Sequence, residues 1–195
     1  MNYSFSPNAN CEPRAPAGLQ RGFTLIELAV VLAIVSLLLT LAAPTLGRIV
    51  ESMKLSSYAN ALLSDLYLAR SEAIKRRTRV VICKSANGMG CTDSGGWHQG
   101  WIVFQDANDN GHVDADEVVI QRSPALPTDF SLVGNQNVAR YVSFDPSGAT
   151  RLVSGAFQAG TLTLCRHPTA TEARQIILNS VGRPRIQKAA ASNCL

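Results

Sequence analysis

Between Phe23 and Ala43 the sequence FTLIELAVVLAIVSLLLTLAA carries a single charge, Glu27. About 20 apolar residues of helix cross the hydrocarbon of a bilayer, and inside lipid a lone segment satisfies its own backbone only as a helix. The rest of the chain must therefore be organised around one membrane-embedded helix near its start. A cleavable secretory signal would end in a small-residue site after a shorter apolar core, and no Ala-x-Ala stands in the right place. The acid is the anomaly. A carboxylate in hydrocarbon is costly unless it finds a partner, and intramembrane acids are functional by default.

Beyond Pro44 the pattern stays helical. Leu55, Tyr58, Ala59, Leu62, Leu66, Ala69 and Ala73 recur at three- and four-residue steps, which makes one apolar stripe for a core. Pro44 deletes a backbone donor and crowds the preceding turn, so a kink is expected there. One helix from about Phe23 to about Arg76 follows, its first half in the membrane and its second half packed on a sheet. Strand signals come next, at 79–83, 100–105, 117–122, 130–133, 141–144, 161–165 and 174–179. They are short, rich in Val, Ile, Thr and aromatics, and separated by Gly, Pro and Asn clusters, which indicates antiparallel pairing. A chain of 195 residues holds one such domain and not two. The fold class is α+β, a long helix followed by a small antiparallel β domain.

The junction RG|FTLIEL resembles the leader junction of type IV prepilins and type II secretion pseudopilins. That resemblance implies a pilin-like fold and cleavage by a prepilin peptidase between Gly22 and Phe23, with N-methylation of Phe23. It also implies a role for Glu27: the free amine of a neighbouring subunit's Phe23 would pair with it, making the acid a register device for polymerisation. The implied divisions are a cleaved leader at 1–22, a transmembrane and assembly half-helix at 23–47, an amphipathic half at 48–78, and a globular β domain with a basic tail at 79–195. The leader departs from the usual short basic form, being long, rich in Pro and in possession of Cys11; its composition suggests disorder. A start codon misassigned upstream of Leu19 would explain this and leave LQRG.

Later blocks sharpen the resemblance. ARSEAIKRRTRVVIC, GWIVFQDANDNGHVDADEVVIQR, VSFDPSGAT and SVGRPR are similar, in order, to landmarks of the GspH/FimT class of minor pseudopilins. Implied partners are other pilin or pseudopilin subunits, the prepilin peptidase and, before assembly, the bacterial inner membrane. A single pass there would leave the globular domain in the periplasm, ahead of incorporation in a pilus or pseudopilus tip. Removal of 1–22 also removes Cys11 and leaves Cys83, Cys91, Cys165 and Cys194, an even set in a compartment where disulfides persist. Spacing favours Cys83 with Cys91 and Cys165 with Cys194, although four cysteines permit three pairings.

Three stretches have the composition of a site. DANDNGHVDADE fits the calcium-loop template, with oxygen ligands at Asp106, Asn108, Asn110, Asp114 and Glu117 and a turn glycine at Gly111. Its flanks read as strands rather than the helices of an EF-hand, and Asn and Asp serve plain turns by bonding nearby backbone, so a polar hairpin tip is the favoured reading and calcium the alternative; no other cofactor is indicated. Lys75, Arg76, Arg77 and Arg79 have the look of a phosphate-binding patch, but they fall where the helix should end, where cations complement the dipole without any partner, so a solvated helix end is the favoured reading and a phosphate patch the alternative.

The third stretch is the tail. From Thr161 to Leu195 the charges are Arg166, Arg174, Arg183, Arg185 and Lys188 against Glu172 alone. In GRPRIQK, Arg183 and Arg185 are two apart and share one side of any extended segment, while Pro184 fixes the backbone and Gly182 permits a turn. A Cys165–Cys194 bond would make the tail a pinned loop with its arginines outward. In FimT-like minor pilins a C-terminal Gly-Arg-x-Arg motif is associated with DNA binding in natural transformation, and the match falls on Gly182, Arg183 and Arg185; Lys188 is an addition the motif does not supply. Few aromatics lie nearby, so stacking and sequence preference should be weak. Arg183 and Arg185 could equally meet acids of an adjacent subunit, or water.

Enzyme function finds no support, because His98, His112 and His167 fall in loops without a nucleophile–base pattern. The expected function is a minor pilin subunit of a type IV pilus tip with a DNA-binding tail. The alternative is a GspH-like minor pseudopilin of type II secretion without DNA binding.

Overall fold

The computed structural model describes residues 22–168 and 172–194, with side chains left aside at 41–45. The long leader and its Cys11 lie outside the described residues, Gly22 apart. Contacts divide the chain into two units, Met1–Thr45 and Leu46–Leu195. Helix α1 (Leu25–Arg76) contributes to both.

In the first unit Thr24 starts the helix. Its hydroxyl accepts the Glu27 amide at 3.3 Å and its carbonyl accepts the Leu28 amide at 3.1 Å. Thr-x-x-Glu is the spacing of a capping box, and Glu27 stands in the first turn, where a negative charge favours the helix dipole. Further along, Ser36 Oγ donates to the Ala33 carbonyl at 2.8 Å and Thr40 Oγ1 to the Leu37 carbonyl at 2.7 Å. The hydroxyls of the apolar run are thus satisfied without water, as an apolar medium requires. Leu25, Ile26, Leu28, Leu32, Leu37 and Leu39 are all exposed. Among the described residues no helix is long and apolar enough to cross a membrane; the apolar stretch continues through 41–45, outside the described side chains, and the bend expected near Pro44 falls there too.

In the second unit the stripe packs as its spacing requires. Leu55, Ala59, Leu62, Leu66, Ala69 and Ala73 are buried and Tyr58 is half-buried against the same core. Among the described residues eight antiparallel strands follow, β1 (Arg79–Lys84), β2 (Trp101–Asp106), β3 (Val119–Ser123), β4 (Phe130–Gly134), β5 (Tyr141–Phe144), β6 (Gly160–Arg166), β7 (Glu172–Leu178) and β8 (Pro184–Ala190). They form two four-stranded sheets, in the orders β3-β2-β1-β5 and β4-β6-β7-β8. Side chains from the helix and from both sheets, among them Trp97, Trp101, Phe144, Leu164 and Ile176, make one core.

Two polar anchors fix the helix. Asp65 accepts hydrogen bonds from Trp101 Nε1 at 2.7 Å and Ser123 Oγ at 2.6 Å, on the first sheet. Arg174, 2 % exposed on β7, donates to Ser52 Oγ at 2.9 Å and to Glu172 at 3.0 Å. Disulfides join Cys83 to Cys91 and Cys165 to Cys194.

The tail departs from the expectation of a pinned loop. Pro184–Ala190 is a strand, paired with β7 from Leu178↔Pro184 to Glu172↔Ala190. Its Pro stands at the strand's first position, and among the described residues β8 is an edge strand, the two places where a sheet tolerates proline.

Candidate functional site

The tail is held by a turn at its root. Gly182 donates its amide to the Asn179 carbonyl at 3.0 Å, and Arg183 donates its amide to Asn179 Oδ1 at 2.9 Å. Gly182 has φ +74° and is buried; a Cβ there would lie 1.9 Å from the carbonyl oxygen of Gly148. Thr150, just beyond Gly148, donates Oγ1 to the Asn179 carbonyl at 2.8 Å. From the helix, Tyr67 Oη donates to the Pro184 carbonyl at 2.9 Å. The segment carrying Arg183 and Arg185 is therefore fixed from three sides: the turn, the 145–150 loop and α1.

Both arginines are exposed, and among the described residues neither guanidinium has an acceptor. Among the described residues Arg48, Arg70 and Arg77 also lack an acceptor, whereas several other arginines are paired with acids. Arg79 is spent on Asp109, Arg151 on Asp145, Arg166 on Asp129 and Glu51, Arg174 on Glu172, and Arg140 on Asp93. Lys188 is exposed too, but it is three positions from Arg185, so strand alternation turns it to the opposite face of β8. It pairs in register with Arg174, which reaches the helix. The site is thus Gly182, Arg183 and Arg185, with Lys188 behind it. Tyr67 is an addition that the sequence pattern did not single out; its ring lies off the buried stripe, and only the pairing of β7 with β8 brings it to Pro184.

The cation cluster at the helix end is used internally. Lys75 and Arg76 pair with Glu72 at 3.5 and 2.5 Å, and those bonds hold the Glu72 carboxyl below its ordinary range. Arg79 Nε donates to Asp109 at 2.8 Å. Only Arg77, at φ 55° just past the helix, has no such partner among the described residues.

The acidic stretch is the connection of the β2–β3 hairpin. Asp106 is fully buried, with Oδ1 accepting the Asn110 amide at 3.0 Å and Oδ2 the Gly111 amide at 2.9 Å. Burial pushes its pKa up, against the pull of those two amides. Glu117 accepts the Ala107 and Asp114 amides at 2.8 and 3.2 Å, and Asp114 Oδ2 accepts both Asn108 Nδ2 and Asn110 Nδ2 at 2.7 Å. These side-chain donors hold the Asp114 carboxyl below its ordinary value. Most of the oxygens of the calcium-like template accept N–H groups of the loop itself. Among the described residues no group of three or more His, Cys, Asp or Glu is disposed to hold a metal.

One histidine contact was not legible in the sequence. His167 Nε2 lies 2.9 Å from Ser131 Oγ. The pair is open to solvent, and the nearby Asp129 carboxylate is engaged by Arg166; among the described residues no acid is bonded to the ring.

A family model described as type II transport protein GspH matches residues 58–182, and a second, described as a prokaryotic N-terminal methylation motif, matches residues 18–43. The pilin-like protein PilA1 of Thermus thermophilus is 35% identical over 98 residues, 50% of this chain and 56% of that protein. The chain thus spans about half the length of that curated relative. Among solved structures, the type IV minor pilin FimU of Pseudomonas aeruginosa shares the fold, with TM-score 0.53 and 19% identity over 73% of this chain and 93% of that one. The minor pseudopilin EpsH of the Vibrio cholerae type 2 secretion system gives TM-score 0.44 and 13% identity over 71% and 98%.

Proposed function

Because the chain belongs to the GspH family of type II transport proteins and carries the prokaryotic N-terminal methylation motif, we propose that it is a minor pilin of a type IV pilus tip that holds DNA without sequence preference. Processing between Gly22 and Phe23 frees an α-amine. Methylated and still positive, that amine meets Glu27 of the adjoining subunit, so the carboxylate is neutralised in hydrocarbon as it must be. Before assembly the 23–43 segment spans the inner membrane once, with the β domain in the periplasm, where its two disulfides are stable.

The DNA reading rests on one observation above all: Arg183 and Arg185 stand exposed and, among the described residues, without acceptors, on a backbone fixed from three sides. Guanidinium forks suit phosphate oxygens, and a stiff mount reduces the entropy lost on binding. Two or three phosphate contacts give a log–log salt slope of about −2 to −3. The test is an Arg183→Gln/Arg185→Gln double variant, measured for duplex DNA binding by the purified full chain and for transformation frequency in its host. Loss of both supports the reading; unaltered DNA binding refutes the tail assignment.

A second reading, a minor pseudopilin of type II secretion without DNA binding, is favoured by the description of the matching family. It predicts a secretion defect and normal transformation on deletion.

A further inference from the structure

We propose that the outer face of the β4-β6-β7-β8 sheet, the one turned from α1, extends the DNA-holding surface and takes the sugar–phosphate backbone of one strand; the proposal rests on the tail reading above. Strand alternation sorts the side chains of this sheet into two sets. Leu132, Leu162, Leu164, Ile176 and Leu178 point into the core shared with the helix, and Arg174, on the same side, reaches Ser52 of α1. Ser131, Thr161, Thr163, Gln175 and Gln187 therefore point outward, and so does Arg185. Among the outward positions of the four strands Arg185 is the one charged residue, and no carboxylate occurs. The other charged residues of these strands, Arg166, Glu172, Arg174 and Lys188, all fall on the opposite side. An ordinary solvated surface mixes charges of both signs.

Register puts this face in line with the tail. Thr161 pairs with Ile177 and Ile177 with Arg185, so the three share one row across the sheet; at about 4.8 Å per strand, Thr161 stands roughly 10 Å from Arg185. The next row runs Val133, Thr163, Gln175, Gln187. Thr161, Thr163 and Gln175 line a groove of about 330 Å³ together with Ser131 and Asn135. Gln187 Nε2 donates to Gln175 Oε1 at 3.0 Å, and among the described residues the Thr161 and Thr163 hydroxyls and Gln175 Nε2 have no acceptor. Ser, Thr, Asn and Gln side chains are, with Arg and Lys, the usual donors to phosphate and sugar oxygens, and such contacts carry no base preference. Asp129, just before β4, is engaged by Arg166. A face with unspent donors, no acid and an exposed arginine at its edge complements a polyanion, and a nucleic acid backbone held at Arg185 continues across it.

The experiment measures binding of a fluorescent duplex of about 30 base pairs and mixed sequence, long enough for several phosphate contacts, to the full chain in detergent, by anisotropy across a sodium chloride series. Thr161→Val/Thr163→Val removes two hydroxyls and keeps the β-branched shape. It is expected to weaken binding about fivefold at every salt concentration with the slope unchanged, since neutral donors release no counterions. Thr163→Glu is expected to weaken binding about tenfold or more. Gln121→Glu, the same charge change on exposed β3 of the other sheet, is expected to stay within about twofold of the native chain. Equal losses in the two Glu variants, or native-like binding by the Val pair, with binding still lost in the Arg183→Gln/Arg185→Gln variant, overturn the role of the sheet face and leave the tail reading standing. So does a Thr163→Glu chain that binds DNA normally but no longer associates with its own copies, which would give the face to a second subunit. Native-like binding by the arginine double variant, or no binding by the native chain, overturns both.

Discussion

Gly182 lies so close to Gly148 that a methyl group on the one would reach 1.9 Å from the carbonyl oxygen of the other. Both have positive φ, +74° and +78°. The contact joins the DPSGAT loop to the start of β8, two stretches far apart in the chain, and it sets where the exposed arginines stand. The glycine of the Gly-Arg-Pro-Arg run is therefore a structural residue, and its neighbours carry the charge.

Gly182→Ala should destabilise the β domain by more than about 2 kcal/mol, since a positive φ is costly for a side chain and the backbone at Gly148 cannot yield as a side chain would. Denaturant unfolding followed by circular dichroism measures it. A loss under about 0.5 kcal/mol would mean that the two loops are not held together in solution.

Much of this was legible in advance, for identifiable reasons. The stripe from Leu55 to Ala73 is read from helical spacing because only the core decides those positions. The first seven strands are signalled by β-branched and aromatic residues. β8 was not: PRIQKAA has one large apolar residue, Ile186, and an edge strand needs no more. Reading it as a loop left Lys188 grouped with Arg183 and Arg185, whereas strand alternation separates them. Tyr67 was invisible for another reason. Its role depends on the strand that meets the helix there, and no local pattern encodes that pairing. The residues of the calcium-like template bond the amides and Asn side chains of their own loop.

Acid should weaken the anchor between α1 and β7. Glu172 is held below its ordinary value of 4.5, first by its bond with Arg174 and then by one with Ser52. A carboxyl lowered on folding stabilises the native state above its unfolded pKa and loses that contribution as pH falls through the folded one. Melting temperature should therefore drop below about pH 4.5, and Glu172→Gln should flatten that part of the drop. An acid limb unchanged in the variant would show that Glu172 does not contribute.

Cys194→Ser should free the end of β8. The bond closes a loop of 29 residues, for which chain entropy gives about 3–4 kcal/mol. Hydrogen exchange should rise at 186–190 and stay low in β1 and β2; uniform protection would contradict the assignment.

Millimolar calcium should leave the melting temperature of the full chain within about 1 °C, since Asp106 and Glu117 already accept the loop's own amides. A calcium-dependent rise that Asp106→Asn abolishes would contradict this.

The most direct test of the filament reading is the intact mass of the protein recovered from its own cells. The expected species begins at Phe23, lacks residues 1–22 and carries one extra methyl group. A chain that keeps its leader in cells whose filaments assemble normally would contradict the pairing of a freed amine with Glu27, and with it the proposed mode of assembly.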